Sequence, residues 1–221
     1  MSLHSADAPP TRIPAPELAI VGAAHVPFAA APTMRFEGVA REPDARPVQS
    51  IALTAQVMID PARRGYDPAT RERLAELFGP PERWTPSTSG LAWARIACTV
   101  PEFTGEARFA LDVPCTYDLE VAAAKYFYAL ADGIVPLSFH FNGNVFYHDA
   151  HGRLQMTPVS WSSSAQYRME VAAWRAMIAE HYPGGGWIRV SDETLARLHD
   201  RRARRGLSSL DALLAELVGQ A

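Results

Sequence analysis

Asn142-Gly143 sits between two alternating apolar runs, Leu137-Ser138-Phe139-His140-Phe141 and Asn144-Val145-Phe146-Tyr147-His148. Asn-Gly is the strongest short-range signal for a two-residue β-hairpin, because a type I′ turn needs positive φ at both central residues. The composition adds weight to it. Asn142 and Asn144 are the only asparagines in 221 residues, and both flank Gly143. The sequence therefore predicts a hairpin here, with Phe141 opposite Asn144 and His140 opposite Val145. In that register His140 and His148 point to opposite faces.

The rest of the chain reads as strands first and helices later. Glu17 to Gly22, Thr33 to Arg41 and Gln49 to Ile59 read as strands, the last with Ile51, Leu53, Ala55, Val57 and Ile59 on one face. Asp67-Pro68 begins a short helix that Gly79-Pro80-Pro81 stops. Leu91 to Val100 and Ala107 to Val113 form an antiparallel pair. Tyr117 to Leu130 carries both an alternating pattern and the helix-forming run Ala122-Ala123-Ala124-Lys125; it is read as a strand. Asp149-Ala150-His151-Gly152 is a further turn, and Arg153 to Trp161 a strand that Pro158 places at an edge. Three helices follow. Val171, Trp174 and Ile178 mark the first, Ser191 caps the second, and Ser208 with Asp211 suggests a capping box for the third. This order predicts an α+β fold: an antiparallel β-sheet or sandwich of about 7–9 strands, then a C-terminal helical segment of about three helices. The expected layout is a flexible Ala/Pro-rich tail over 1–16 and a single domain over 17–221, β-rich to 161 and helical from 162.

Composition excludes several function classes. A net charge of −3 and no long basic stripe make nucleic acid a poor partner. No apolar run approaches the ~20 residues a membrane helix needs, and residues 1–16 lack a signal-peptide core. Cys98 and Cys115 lie outside any CxxC and read as buried free thiols of a cytoplasmic protein. There is no G-x-S-x-G elbow, and Pro183-Gly184-Gly185-Gly186-Trp187 lacks the Lys-Ser/Thr of a phosphate loop.

Two groups of residues could carry chemistry. His148, Asp149 and His151 cluster at a strand end and are the candidate metal ligands, although turn histidines are commonly structural. Tyr117, Asp118, Glu120, Lys125 and His140 are the candidates for a pocket. Asp118 and Glu120 would share a strand face near Lys125, the only lysine. A solvated face or an ion pair explains them more simply. Arg197, Arg201, Arg202, Arg204 and Arg205 form a basic helical run that suits a helix C-terminus. Trp84, Trp93, Trp161, Trp174 and Trp187 are spread along the chain; core or hinge packing explains most of them, and some are potential anchors for a partner.

Several blocks together resemble an uncharacterised actinobacterial domain-of-unknown-function family. They are Ile51 to Gln56, Arg63-Arg64-Gly65-Tyr66-Asp67, Leu77 to Trp84, Cys115 to Tyr126, the Asn142-Gly143 segment, and His181 to Trp187. The resemblance spans nearly everything from Pro16 onward. Genes of that family often lie beside those of [NiFe]-hydrogenases, and no catalytic residues are established for it. It implies a non-enzymatic accessory or assembly factor that binds a protein partner such as a hydrogenase subunit or maturation factor. No catalytic, cofactor or metal residue is carried over, and homo-oligomerisation stays open. The alternative is a small enzyme or ligand-binding sandwich with a pocket between sheet and helices.

Overall fold

A computed structural model describes residues 13–84, 90–115, 121–184 and 188–219. Its strands are β1 (Glu17–His25), β2 (Thr33–Arg41), β3 (Ser50–Ile59), β4 (Leu91–Val100), β5 (Glu106–Pro114), β6 (Ile134–His148), β7 (Leu154–Pro158) and β8 (Ser164–Glu170). Each pairs antiparallel with its neighbours. One sheet has the order β1-β2-β5; the other has the order β4-β3-β6-β7, with β8 also paired to β6. Alternation decides the packing. On β3, Ile51, Leu53, Ala55, Val57 and Ile59 are buried while Ala52 and Gln56 are exposed. The two inner faces meet through aromatic edges: Phe36 of β2 packs 5.0 Å from Phe139 of β6, and Phe109 of β5 lies 6.3 Å from Phe141. β4 runs beside β5 and β8 beside β1, so the sandwich is nearly closed. Truncating Phe139, fully buried at its centre, would cost about 3–5 kcal/mol.

The predicted hairpin at Asn142-Gly143 does not form. β6 runs straight through it for 15 residues and pairs with β3 in unbroken register, from Ile59↔Leu137 to Ser50↔Phe146. Glycine is required at 143 for a different reason. Its φ is 149°, and a Cβ there would lie 2.0 Å from the Ala52 carbonyl oxygen. On the other side of β6 the partner changes at this point. His140 pairs with Ser164 of β8, and Asn144 with Pro158 of β7. Residues 141–143 therefore face the longer stretch 159–163, which bulges outward. Phe141 N–H donates to the Ser163 carbonyl at 3.0 Å, and Val159 N–H to the Gly143 carbonyl at 2.9 Å, pinning both ends of the bulge. The true hairpin turn is the one expected at 149–152. There Gly152 has φ 71°, and its N–H donates to the Asp149 carbonyl at 2.9 Å.

Five α-helices are present among the described residues, one more than the helix after Asp67 and the three C-terminal helices expected: α1 (Pro68–Phe78), α2 (Ala122–Ala129), α3 (Val171–His181), α4 (Asp192–Arg205) and α5 (Leu210–Gly219). The stretch read as a strand over 117–130 is helical from Ala122, and residues 116–120 lie outside the described residues. Its alanine run prevails, and the segment is buried on most sides through Ala123, Ala124, Tyr126, Phe127 and Ala129. Burial on most sides leaves too narrow a polar face to make the period readable. Asp67 caps α1 as expected, accepting Thr70 N–H at 2.8 Å. Strand β8 lies beyond residue 161, inside the stretch read as helical. Of the expected tail, residues 13–16 are tied to the domain. Ala15 N–H donates to the buried Glu42 carboxylate at 2.8 Å, and the Arg46 guanidinium donates to the Ile13 carbonyl.

The chain divides into two compact units, Met1–Gly185 and Gly186–Ala221. The second is a helical pair. Ser191 caps α4 through Thr194 N–H (3.2 Å), and Gly206 at φ 66° ends it. α5 is capped by Ser209 on Ala212 N–H (3.0 Å), not by the expected Ser208 box. Arg205 meets Glu216 at 2.9 Å and Arg197 meets Glu193, so part of the basic run is paired within the unit.

Candidate functional site: the outer face and free edge of the five-stranded sheet

The unbroken strand changes the faces deduced for the histidines. With no turn at 142–143, His140 and His148 have the same parity and share the outer, exposed face of the sheet. They are eight residues apart, about 26 Å along the strand, far beyond any shared ligand. Asp149 is occupied in holding its turn. One carboxylate oxygen accepts His151 N–H at 2.8 Å and Arg153 N–H at 3.0 Å; the other takes Arg153 Nε at 3.1 Å and Gln155 Nε2 at 3.2 Å. These donors, the backbone N–H of Arg153 foremost, hold its carboxyl down to about 2. Both oxygens already serve the fold. Among the described residues no three His, Cys, Asp or Glu side chains gather as metal ligands would.

Of the pocket candidates only Lys125 and His140 are among the described residues, and these two are not brought together. Lys125 pairs with Glu76 of α1. Its helix adjoins the inner layer, where Phe127 packs 5.0 Å from Trp93, which in turn packs against Phe36 and, through it, Phe139. His140 projects from the opposite face of the sheet. Tyr117, Asp118 and Glu120 lie outside the described residues. Both thiols are free. Burial pushes Cys115 up to about 12, and it also raises Cys98, which is half-buried and not buried as expected.

The sheet's outer face instead carries apolar residues at its far end. β7 is an edge strand with its other side unpaired among the described residues. On that strand Leu154 and Met156 are 58% and 57% exposed, opposite His148 and Phe146 of β6. Trp161, in the bulge that follows, is 95% exposed. Soluble domains normally blunt such an edge with charges. Behind the edge, Ile13, Pro14, Leu18, Ile51, Val145 and Val159 line an apolar cleft of about 240 Å³. The sequence signal was present in part: Pro158 marked the edge, but Leu154 and Met156 alternate like any half-buried pair.

A family model described as "Family of unknown function (DUF6084)" matches residues 13–221, so the chain belongs to that family. No curated protein matches it. A chain described as a late embryogenesis abundant (LEA) protein, solved in solution, is 14% identical, with 72% of each chain covered and a TM-score of 0.31. The beta-glucosidase 3B from Thermotoga neapolitana is 10% identical over 70% of this chain and 17% of that one, with a TM-score of 0.24. A chain described as the ApaA protein from Bordetella pertussis is 11% identical over 72% and 96%, with a TM-score of 0.23. At these scores the likenesses carry no argument.

Proposed function

We propose that this member of a family of unknown function is a non-enzymatic accessory protein that docks an extended segment of a protein partner along the free edge of β7. The observation that supports this reading is the exposed trio Leu154, Met156 and Trp161 beside an unpaired strand. A peptide adding to the edge would satisfy its backbone groups, while the three side chains supply apolar anchors. Pro158 lacks an N–H and would end the added ladder. No helix among the described residues is long and apolar enough to cross a membrane. The resemblance of its sequence blocks supports an actinobacterial setting and a [NiFe]-hydrogenase subunit or maturation factor as the partner, and the two free thiols support a cytoplasmic setting.

Affinity purification from the native host tests this. The wild-type chain should bring down a stoichiometric hydrogenase component. Trp161→Ser combined with Met156→Ser should release it while the fold is kept, and deletion of the gene should lower hydrogen uptake. A protein that elutes alone, with uptake unchanged on deletion, contradicts the reading.

A further inference from the structure

Asp60 to Tyr66 folds back over the opposite end of the same outer face. Asp60 N–H donates to the Pro136 carbonyl at 2.9 Å, and Ser138 Oγ donates to the Asp60 carboxylate. This places Arg63 and Arg64 beside Arg168 of β8, whose register partner is Pro136. The three arginines, with Gly65, Ile134 and Pro136, line an open pocket of about 370 Å³.

The charge there is poorly compensated. Arg63 lies 3.8 Å from Asp60 and donates to the Gln166 side chain. Arg168 is exposed and has no carboxylate within ion-pair distance among the described residues; Glu170, two residues on, shares its face. Arg64 is the unusual member. It is half-buried, and it donates to two backbone carbonyls: Nε to Gly65 at 3.4 Å and Nη2 to Asp132 at 3.2 Å. Its guanidinium lies 5.1 Å over the Tyr66 ring, and its Nη1 is buried with no partner. The adjacent hydroxyls bring it no negative charge, although the Tyr126 oxygen stands close enough to serve as a neutral acceptor. Tyr66 donates to the Pro61 carbonyl (2.8 Å), so Tyr126 must donate to Tyr66 (2.8 Å). A half-buried guanidinium with no carboxylate in ion-pair distance among the described residues, next to two more, is an arrangement that folding alone does not favour. A bound oxyanion would neutralise it, and guanidiniums offer such an anion paired N–H donors.

We propose that Arg63, Arg64 and Arg168 form a binding site for a small polyvalent oxyanion of the phosphate or carboxylate class. The site lies about 30 Å along β6 from the β7 edge, judged from the strand rise between Pro136 and Phe146, so it is independent of the docking reading.

Calorimetric titration of the full chain with inorganic phosphate, and separately with succinate, at constant ionic strength tests it. Saturable binding by wild type is expected. Phosphate binding more tightly assigns the phosphate class; succinate binding more tightly assigns the carboxylate class. Arg168→Gln, at an exposed residue with no carboxylate in ion-pair distance among the described residues, should weaken binding about tenfold, the loss of one charge-assisted contact. Arg64→Gln should abolish it, and circular dichroism shows whether that variant folds. Arg95→Gln, on distant β4, should bind like wild type. No saturable binding of either anion, or equal binding by wild type and Arg168→Gln, overturns the proposal whatever Arg64→Gln does.

Discussion

Gly143 and Gly152 belong to two segments that read alike and fold differently. Both follow a short polar residue or turn cluster, both have positive φ, and both sit beside the alternating residues of β6. Around Gly152 a Cβ would meet nothing within 4 Å; at Gly143 it would strike backbone. One glycine serves a turn in open solvent. The other lets two strands approach in the middle of a sheet. Positive φ is thus a local requirement that a sequence can declare, whereas the purpose it serves depends on what long-range pairing brings alongside.

Substitutions separate the two. Gly143→Ala should cost about 3 kcal/mol or more, because overpacking against the Ala52 carbonyl adds to an unfavourable φ. Urea unfolding reads this as a large fall in midpoint. Gly152→Ala, strained only by its φ of 71°, should cost about 1 kcal/mol in the same assay. Equal costs would erase the distinction. Asp149→Asn probes the turn through its pH dependence. The Asp149 carboxyl titrates at about 2 in the folded chain and near 4 when unfolded, so its stabilisation is complete above about 4 and is lost as pH falls toward 2. Wild type should therefore lose melting temperature faster than Asp149→Asn across that window; parallel curves would remove the carboxylate from the account of the turn. Smallest of all, Trp161→Ser should change stability by less than about 0.5 kcal/mol, since the side chain is almost wholly exposed on the bulge opposite Gly143. A larger loss would mean that the indole packs and is not available to a partner.

Much of the sandwich was legible because its strands are half-buried. β3 and β5 alternate cleanly, and Asp67 and Ser191 mark helix starts with the residues that capping chemistry needs. Of the elements that failed, β8 among them, two did so for identifiable reasons. α2 is buried on most sides, so its pattern does not separate helix from strand. β6 was cut in two because Asn-Gly is a local signal, and nothing local shows that β3 lies along both halves while β7 and β8 divide the other side. The arginine site was less accessible still. Arg63 and Arg64 stood out as part of a motif, but Arg168 joins them only through the β6–β8 register. The histidines show the same lesson in reverse: their faces were deduced from a turn that is absent, and their separation rests on distance along one strand.

Continuity of β6 through Gly143 is what sets the outer face, the bulge and the β7 edge, and nuclear Overhauser contacts across the sheet test it most directly. The account predicts backbone proton contacts between Leu53 and Gly143 and between Thr54 and Asn142. Contacts between Phe141 and Asn144 in their place, the mark of a tight hairpin, would contradict it.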